Sequence, residues 1–427
     1  MTNGNEAFVI VGGAWGDEGK GKIAHSKLEQ LAGIRVTSDV LANFPTEDRK
    51  KIVGVRYNGG ANAGHTQVIA LTDESPLVRL GEDGLPLVNK KFHFSRVEKT
   101  DKGWILKLKT RSLPSSVMVP GVSAMIGPRC VVHLETLRKE IEDMQTAGVR
   151  DIHDRLYIAF NAHVVEDYHQ HEDRMIEARK AVTNGKVVGT TGQGIGPCNA
   201  GKANRFNRRV EDVPEFQELG QVVDTRKQFQ NWLSNGSWKM VGEGAQSMML
   251  DIDWGNYPCV TSAGTYPMEI FSTGLPMSIK MNVIMTLKAY TTKVGKHAAS
   301  EFMKDAVANI IADIGGEYGT VTGRRRQVEY LNLDWLSDLM WSIQPANGDL
   351  IVVINKGDIL PEVAAVLYDK FCQKQEKLAF GFVRNGKVQY FDDLQSFEAA
   401  LAIELTELGV AKTIFSHTPM ADPDMFN

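Results

Sequence analysis

The sequence predicts an α/β protein with a mainly parallel central sheet flanked by helices, a P-loop-like core and smaller peripheral subdomains. Three observations predict this class. Strand candidates that are apolar throughout, such as "AFVIV" and "DLIVVI", alternate with helical stretches, as is typical of buried parallel strands. A glycine-rich loop directly follows the first strand candidate. The chain has 427 residues, enough for one large domain with attached subdomains.

The first elements are a strand at "AFVIVGG" and a helix at "KGKIAHSKLEQLAG", which places Ile23, Leu28 and Leu31 near one face. The same reasoning predicts later helices and strands. The helices are "LETLRKEIEDMQTAG" and "EDYHQHEDRMIEARKAV", and the strands are "RLYIAF", "NVIMTLKAY", "DLIVVI" and "KLAFGFV".

Residues 72–115 differ from the rest of the chain, because they are polar and rich in turn residues. We expect them to form a peripheral β excursion without chemistry. We find no internal repeat. From the length we expect residues 1–427 to form a single large domain with attached subdomains, or two closely packed domains.

Composition excludes several classes of function. The net charge of -4 gives no electrostatic case for nucleic acid or an anionic membrane. The four cysteines lie far apart, which argues against a zinc site and a disulfide framework. There is no signal peptide pattern and no apolar run of about 18 residues, so we expect a cytoplasmic protein that is not a membrane protein.

The loop "GAWGDEGKGKI" is a phosphate-binding loop with two anomalies. From Gly16 onwards the P-loop pattern is complete, but Ile23 stands where a P-loop places Ser or Thr on Mg²⁺. The acidic pair Asp17 and Glu18 is also unusual, because phosphate repels a carboxylate unless a cation or a chemical task compensates.

The motif "NKGD", Asn355 to Asp358, directly follows the strand candidate "DLIVVI". An Asp at this place can accept hydrogen bonds from N1–H and the 2-amino group of guanine, a donor pair that adenine lacks. The alternative is a polar loop with a helix N-cap. Together with a phosphate loop, the motif favours GTP.

Two further glycine-rich loops have the composition of ligand-binding turns. In "YNGGANAGHT" the glycines allow close approach of a ligand, and Asn62 and His65 bring donors and acceptors; a structural role for this His stays open. In "VGTTGQGIGP", the threonines, the backbone N–H groups and the nearby Arg205 are able to hold a second phosphate. A hairpin loop beside a solvated basic face is the alternative.

Two later segments add polar groups. Gln246 and Thr261, in the segment that starts "GEGAQSMMLDIDWG", are suited to contact a base or a sugar, although ordinary turn residues look the same. "EYGTVTGRRRQ" has three consecutive arginines, which suit carboxylate and phosphate in bidentate geometry. It is either a solvated charge run or a mobile loop that closes on a small anionic substrate.

In this order the motifs resemble the adenylosuccinate synthetase family, whose members join IMP and L-aspartate using GTP. The resemblance spans nearly the whole chain and implies a ligase of purine biosynthesis that forms a C–N bond. It also implies a homodimer, in which Arg205 of each subunit contacts IMP on the other, and a Mg²⁺ held by Asp17, a backbone carbonyl near Gly64 and the nucleotide phosphates. Ile23 is then free to pack inward.

The resemblance also implies catalytic roles. Asp17 resembles the general base that takes the N1 proton of IMP, so that the 6-oxygen attacks the γ-phosphate of GTP. His65 is similar in position to the family's acid, which stabilises charge in that transfer, and Lys20 to a lysine that steadies phosphate. Aspartate then attacks the 6-phosphoryl-IMP intermediate.

The resemblance assigns contact residues to each ligand. For GTP they are Gly16, Asp17, Glu18, Gly19, Lys20, Gly21, Lys22, Gly64, His65, Thr66, Arg326, Lys356, Gly357, Asp358 and Ser416. For IMP they are Asp17, Lys20, Asn62, Ala63, Gly64, His65, Thr191, Arg205, Gln246, Thr261 and Arg324. For aspartate they are Thr320, Val321, Thr322, Gly323, Arg324 and Arg326.

The chain departs from the family pattern at several positions. Ala14 stands where Gln is usual, Gln193 where Arg is usual, and Val321 where the aspartate loop has a threonine. "KHAASE" and "TSAGT" also differ from the usual stretches, and residues near 35–48 look inserted. Loss of the hydroxyl at Val321 is expected to weaken or reshape aspartate binding.

Two alternatives stay open. Some phage relatives act on dGMP, with ATP or GTP, to form the precursor of 2-aminoadenine, and a phage-encoded enzyme would work in the host cytoplasm. Their loop carries Ser where this chain retains Asp17, so Asp17 and Arg324 favour IMP. The second alternative is a nucleotide-binding GTPase without ligase activity, against which the joint presence of Asp17, Lys20, His65 and Arg324 argues.

Overall fold

The computed structural model describes residues 4–46, 49–183, 190–293, 302–318, 325–371 and 375–427. Strands and helices alternate over most of the described chain. The strands are β1 (Glu6–Gly12), β2 (Ile52–Arg56), β3 (His65–Leu71), β4 (Arg96–Thr100), β5 (Gly103–Thr110), β6 (Ser123–Ile126), β7 (Val131–Val132), β8 (Leu156–Ala159), β9 (His163–Val164), β10 (Gln221–Val223), β11 (Lys239–Glu243), β12 (Lys280–Lys288), β13 (Tyr290–Lys293), β14 (Gln327–Asn332), β15 (Leu350–Asn355), β16 (Gly381–Arg384), β17 (Lys387–Tyr390) and β18 (Lys412–Ser416).

The α-helices are α1 (Lys20–Ala32), α2 (Ser38–Ala42), α3 (Leu134–Thr146), α4 (Ile152–Arg155), α5 (Asp167–Thr183), α6 (Ile195–Asn204), α7 (Thr225–Ser234), α8 (Asp305–Gly315), α9 (Leu333–Ser342), α10 (Leu360–Phe371) and α11 (Leu394–Glu407). Over the described ranges, none of them has both the length and the apolar character needed to cross a bilayer. The predicted α1, α3 and α5 all form.

A nine-stranded sheet is the centre of the molecule, with strand order β10-β8-β6-β2-β11-β1-β12-β15-β18. All of its neighbouring strands are parallel. This confirms the predicted fold class. The strands of this sheet come from the whole length of the described chain, from Glu6 to Ser416.

Both faces of the sheet are buried, which explains why its strands are apolar throughout. Along β1, Ala7 and Val9 belong to a hydrophobic cluster that includes residues of α7 to α11. Phe8 and Ile10 point to the opposite face, into a cluster that includes residues of α1 and α3. Ile23 lies in this second cluster with 0% of its side chain exposed, so it packs inward as expected.

Smaller sheets flank the central one. Strands β3, β5 and β4 form a separate antiparallel sheet, and β4 and β5 lie within residues 72–115. A four-stranded sheet has the order β13-β14-β16-β17. The prediction for "KLAFGFV" is wrong in its first half: Glu376–Ala379 is a 3₁₀ helix, and only Gly381–Arg384 is a strand, in this smaller sheet.

The carboxyl edge of the central sheet carries the segments predicted to bind ligands. Because parallel strands present their carboxyl ends at one edge, loops that are distant in sequence meet there. The strands that end at these loops are β2 at Arg56, β11 at Glu243, β1 at Gly12, β12 at Lys288, β15 at Asn355 and β18 at Ser416. The phosphate loop after β1 therefore lies between the turn after β2 and the "NKGD" motif after β15.

Candidate active site

A cavity of about 520 Å³ brings together most of the predicted site residues. Those that line it are Gly16, Asp17, Gly19, Lys20, Gly21, Lys22, Asn62, Ala63, Gly64, His65, Thr66, Thr191, Gln246 and Arg326. Glu18, Arg205, Thr261, Lys356, Gly357, Asp358 and Ser416 are not part of its wall. Thr320, Val321, Thr322, Gly323 and Arg324 lie outside the described residues.

The phosphate loop presents the amino end of α1 to the cavity. Gly19 precedes the helix with φ 87° and provides no side-chain cap, so the first N–H groups of α1 are available to an anion. Gly21 allows the helix to approach β3, because a Cβ at this position would lie 2.6 Å from the Cβ of His65. The local geometry is therefore that of a phosphate-binding turn.

Glu18 is turned away from the cavity and braces the loop from inside. Its Oε1 accepts hydrogen bonds from the N–H groups of Gly16 at 2.7 Å and Ala14 at 3.3 Å. Its Oε2 accepts from Lys20 Nζ at 2.9 Å and from Ser247 Oγ at 2.7 Å. Burial alone would raise the pKa of Glu18, but Lys20 and these hydrogen bonds lower it, so the carboxylate is ionised. The carboxylate of Glu18 is thus bound within the protein, and Glu18 is not part of the cavity wall.

Lys20 has two polar partners beneath the loop. Its Nζ donates to Glu18 Oε2 at 2.9 Å and to Ser247 Oγ at 3.0 Å, and only 5% of the side chain is exposed. The ammonium thus neutralises Glu18 and still lies at the cavity wall. This resolves half of the sequence anomaly, because a paired carboxylate does not repel phosphate as a free one does.

Asp17 faces the cavity and is ion-paired with Arg326. Its backbone has φ 59°, a left-handed conformation that few residues other than glycine adopt, and 47% of its side chain is exposed. Arg326 Nη2 contacts Asp17 Oδ2, while Arg326 Nη1 donates to Glu317 Oε2 at 2.8 Å. Arg326 therefore links the loop carboxylate to a buried anchor.

That anchor is a buried polar cluster around Glu317. Lys288 Nζ, at the end of β12, donates to both carboxylate oxygens of Glu317 at 2.9 Å. Tyr290 Oη donates to Glu317 Oε1 at 2.8 Å. Burial would raise the pKa of Glu317, but Lys288, Tyr290 and Arg326 lower it, so Arg326 is held by a carboxylate with a full charge.

His65 begins β3, and its ring is turned toward the interior. Its Nδ1 contacts Glu243 Oε1, and Arg56 Nη1 lies 2.9 Å from Nδ1 and 3.1 Å from Nε2. Glu243 also accepts from the backbone N–H of Ser115 at 2.8 Å. Burial and the neighbouring Arg56 lower the pKa of His65 to about 4, so its imidazole is neutral at pH 7.

Three cavity residues carry buried polar atoms without a partner in the described part of the protein. They are the amide oxygens Asn62 Oδ1 and Gln246 Oε1, and Arg326 Nε. Buried polar atoms are normally hydrogen-bonded, so such atoms at a cavity wall indicate a ligand with complementary groups. Gln246 is held with φ 57°, in the left-handed region.

The "NKGD" segment contacts the phosphate loop from the other side. Asn355 Nδ2 donates to the carbonyl of Glu18 at 2.8 Å. Lys22 Nζ donates to Ser416 Oγ and to the Thr418 carbonyl, both at 2.8 Å. Burial lowers the pKa of Lys22 to about 8, with Asp358 opposing this shift. The residues predicted for guanine are thus adjacent to the loop, although they do not line the cavity.

Two predicted IMP contacts lie away from the cavity. Arg205 ends α6 with φ 65° and is exposed on the surface. Thr261 is half-buried, and its N–H donates to the carbonyl of Leu250, a residue of the cavity wall, at 2.7 Å. Neither side chain contacts the cavity in this chain.

The metal prediction is compatible with this geometry. No cluster of three or more His, Cys, Asp or Glu side chains suited to a metal occurs among the residues described. Asp17 and Gly64 nevertheless border the same cavity. Mg²⁺ commonly takes one or two protein oxygens and completes its shell with water and substrate phosphates, and these two residues fit that pattern.

Comparison with known proteins decides the family. The adenylosuccinate synthetase family model matches residues 104–237 and 215–368. An adenylosuccinate synthetase from Zygosaccharomyces rouxii is 31% identical over 369 residues, covering 76% of this chain and 72% of the relative. The chain belongs to the adenylosuccinate synthetase family. The synthetase from Caldanaerobacter subterraneus is 30% identical, over 92% of this chain and 84% of its own.

Solved structures agree with the fold of an adenylosuccinate synthetase. The fully ligated enzyme from Plasmodium falciparum matches with a TM-score of 0.67 and 23% identity, over 97% of this chain and 98% of its own. The succinoaminodeoxyadenylate synthetase of cyanophage S-2L, solved with dGMP and with dATP as an energy donor, matches with a TM-score of 0.57 and 18% identity, over 94% and 100%. As in the family, the enzyme is a ligase that forms a C–N bond.

Several charged residues that were not predicted from the sequence position the predicted ones. Arg56, Glu243 and Lys288 each end a central strand, and Glu317 follows α8. A charged residue that ends an otherwise apolar strand, as in "KMVGE" and "VIMTLK", is the signal that could have identified three of them. Lys109 and Arg111, from the peripheral excursion, also line the cavity, although the sequence analysis assigned that segment no chemistry.

Proposed function

We propose that the protein ligates L-aspartate to IMP with GTP, through 6-phosphoryl-IMP, to give adenylosuccinate, GDP and phosphate. One observation carries this proposal. A single cavity between the phosphate loop and β3 is bordered by a carboxylate, an ammonium group, an imidazole and two unpartnered amide oxygens: Asp17, Lys20, His65, Asn62 and Gln246. These groups suit a reaction that moves one proton and one phosphoryl group.

In the first step, Asp17 takes the proton from N1 of IMP, and the 6-oxygen attacks the γ-phosphorus of GTP. The bond from the γ-phosphorus to the bridging oxygen breaks, and GDP leaves. Asp17 is ion-paired with Arg326, so the base becomes available when this pair separates. Lys20 lies below the loop, where its positive charge stabilises the negative charge that develops on the transferred phosphoryl group.

His65 acts on the same step as a neutral group. With a pKa of about 4, its imidazole does not carry a proton to donate as a cation at pH 7. Its Nδ1 contacts the carboxylate of Glu243, which only accepts hydrogen bonds, so the single N–H of the neutral ring lies on Nδ1. This N–H must leave Glu243 before it donates a hydrogen bond to phosphate.

In the second step, the amine of aspartate attacks C6 of the intermediate, and phosphate leaves with the C6–O bond electrons. Among the described residues Arg326 Nε has no hydrogen-bond partner, and Arg326 lies beside Asp17, so it suits a carboxylate of aspartate or a phosphate of the donor. The aspartate loop, residues 320–324, enters this proposal through the family resemblance alone.

Three finer assignments belong to the same proposal. Asp17 and Gly64 would hold Mg²⁺ together with the nucleotide phosphates, and the ion would supply positive charge near the transferred group. The exposed position of Arg205 supports its contribution to a second subunit of a homodimer. We propose that the enzyme works in the cytoplasm, or in the host cytoplasm if a phage encodes it.

The test measures phosphate release and the nucleotide product with GTP or ATP, aspartate, and either IMP or dGMP. Turnover of IMP is expected, and turnover of dGMP alone would replace IMP by dGMP as the acceptor. Phosphate release that needs no aspartate would support the GTPase alternative instead.

The base is tested with Asp17→Asn and a matched control. Asp151 is also an aspartate in left-handed backbone, with φ 53°, and it also pairs with an arginine, Arg155, but it lies away from the cavity. Loss of a general base costs about 10²–10⁴-fold in rate. Asp17→Asn is expected to lose activity on that scale and Asp151→Asn to keep it. Full activity of Asp17→Asn contradicts the role of this base.

A further inference from the structure

The peripheral excursion contributes two cations to the cavity wall. Lys109 and Arg111 lie at the end of β5 and just beyond it, and both border the cavity with the phosphate loop. Side chains alternate along a strand, so these two residues share one face of the small sheet. Thr66 lies opposite Lys109 in β3, and the Thr66 side chain is exposed at the same cavity.

Neither cation has an ion-pair partner in the part of the chain that the structure describes. Lys107, on the same face of β5, is paired with Glu98, and Glu98 also pairs with Arg96. Lys109 forms no ion pair in the described residues, and burial together with Arg96, Arg111 and Lys107 lowers its pKa, with Glu98 opposing this shift. The surroundings of Lys109 therefore carry an excess of positive charge.

Arg111 is held in place by its neighbours rather than by an acid. Its guanidinium lies over the ring of Phe94, 4.4 Å from the centroid. Its backbone carbonyl accepts a hydrogen bond from Arg56 Nη2 at 2.8 Å, and Arg56 contacts His65. The end of the excursion is thus fixed to the residues that surround the predicted catalytic imidazole.

We propose that Lys109 and Arg111 form an anion subsite, which binds a phosphate group of a purine nucleotide in the cavity. Both side chains are half-buried, so each cation has lost part of its hydration. A bound phosphate would compensate for this loss, because it accepts hydrogen bonds from both kinds of side chain. The phosphate belongs either to the nucleotide donor or to the acceptor. This subsite rests on one part of the proposed function, namely that the cavity binds purine nucleotides.

The test compares equilibrium binding of GTP, IMP, dGMP and the nucleoside inosine, which lacks phosphate. The full chain is measured as wild type, Lys109→Gln, Arg111→Gln and Lys107→Gln. Lys107 is the matched control, because it lies on the same strand and face but is paired and is not part of the cavity wall. Urea unfolding of each variant shows whether the fold is kept, and Lys109→Arg retains the charge.

Each subsite variant is expected to weaken a phosphate-bearing ligand about tenfold, the scale of one hydrogen bond to a charged group. Inosine binding is expected to stay the same, as is binding by Lys107→Gln and Lys109→Arg. Weakening of GTP alone assigns the subsite to the donor, and weakening of IMP or dGMP alone assigns it to the acceptor.

Two outcomes overturn the proposal, and they are distinct. If wild type binds and turns over its nucleotides while both subsite variants bind them equally well, the subsite is wrong and the proposed function stands. If wild type binds no purine nucleotide, the proposed function fails and the subsite fails with it. A subsite variant that weakens inosine as much as IMP would also refute recognition of phosphate.

Discussion

The buried cluster around Glu317 yields a prediction for Glu317→Gln. The substitution keeps the size of the side chain but removes the charge that faces Lys288 and Arg326. Only 3% of the Lys288 side chain and 9% of Arg326 are exposed, so water cannot replace the lost carboxylate. Lys288 would be left as a buried cation, and of its two acidic partners in the described chain Arg326 would keep Asp17.

The magnitude follows from the contacts. Glu317 accepts hydrogen bonds from Lys288, Tyr290 and Arg326 at 2.8–2.9 Å. A hydrogen bond to a charged group contributes about 1.5–3 kcal/mol. The sum over these contacts is an upper bound on the destabilisation by Glu317→Gln, because contacts in one network are not additive. Removal of one partner of a buried ion pair costs about 3–5 kcal/mol, and we expect Glu317→Gln to lower the free energy of unfolding by that amount.

Urea unfolding at pH 7 measures this change, with Glu329→Gln as the control. Glu329 pairs with Lys293 at 2.8 Å on the adjacent strands, but 20% of Glu329 and 17% of Lys293 are exposed. Its loss should cost at most about 1 kcal/mol, as for other solvated pairs. Equal destabilisation by the two substitutions would refute the reasoning that burial makes the Glu317 cluster strong.

Three further substitutions test other contacts of the site. The pKa of His65 is about 4 in the folded protein and ordinary in the unfolded chain, so the free energy of unfolding falls as the pH drops from about 6.5 to 4. His65→Asn should reduce this dependence by up to about 1.4 kcal/mol per pH unit, as measured by urea unfolding at several pH values. Lys22 has a pKa of about 8 and loses its charge above that pH, so GTP affinity should fall by up to about tenfold per pH unit there, and a pH-independent affinity in wild type would contradict this. The affinity of Lys22→Met should be low at every pH. Asn355→Ala removes a hydrogen bond to the Glu18 carbonyl and should cost about 0.5–1.5 kcal/mol of stability in the same unfolding assay, with weaker GTP binding.

The elements best predicted from the sequence were those in which one physical signal dominates. The apolar run of β1 requires burial on both faces of the sheet, and the strand is buried. The spacing of Ile23 and Leu28 predicts one buried face of α1, and both side chains are buried. The first half of "KLAFGFV" failed because a short apolar run does not distinguish a strand from one turn of 3₁₀ helix. Its apolar residues are buried in both cases.

The arrangement of charges at the site was much less predictable. The sequence places Glu18 beside a phosphate loop, but only three-dimensional contacts show that its carboxylate faces inward, toward Lys20 and Ser247. Lys107, Lys109 and Arg111 recur at every second position, which is also the pattern of a solvated strand face. Whether such a face meets water or a cavity depends on the packing of distant segments. The ligand contacts themselves stay predictions.

The inward carboxylate of Glu18 also bears on the thermodynamics of nucleotide binding. Its hydrogen bonds to the N–H groups of Ala14 and Gly16 fix the loop backbone through contacts within the protein. A loop that already has its binding shape loses little conformational entropy when a nucleotide arrives, so more of the interaction energy appears as affinity. The acid that seemed to oppose phosphate thus favours its capture, because it orders the loop in advance.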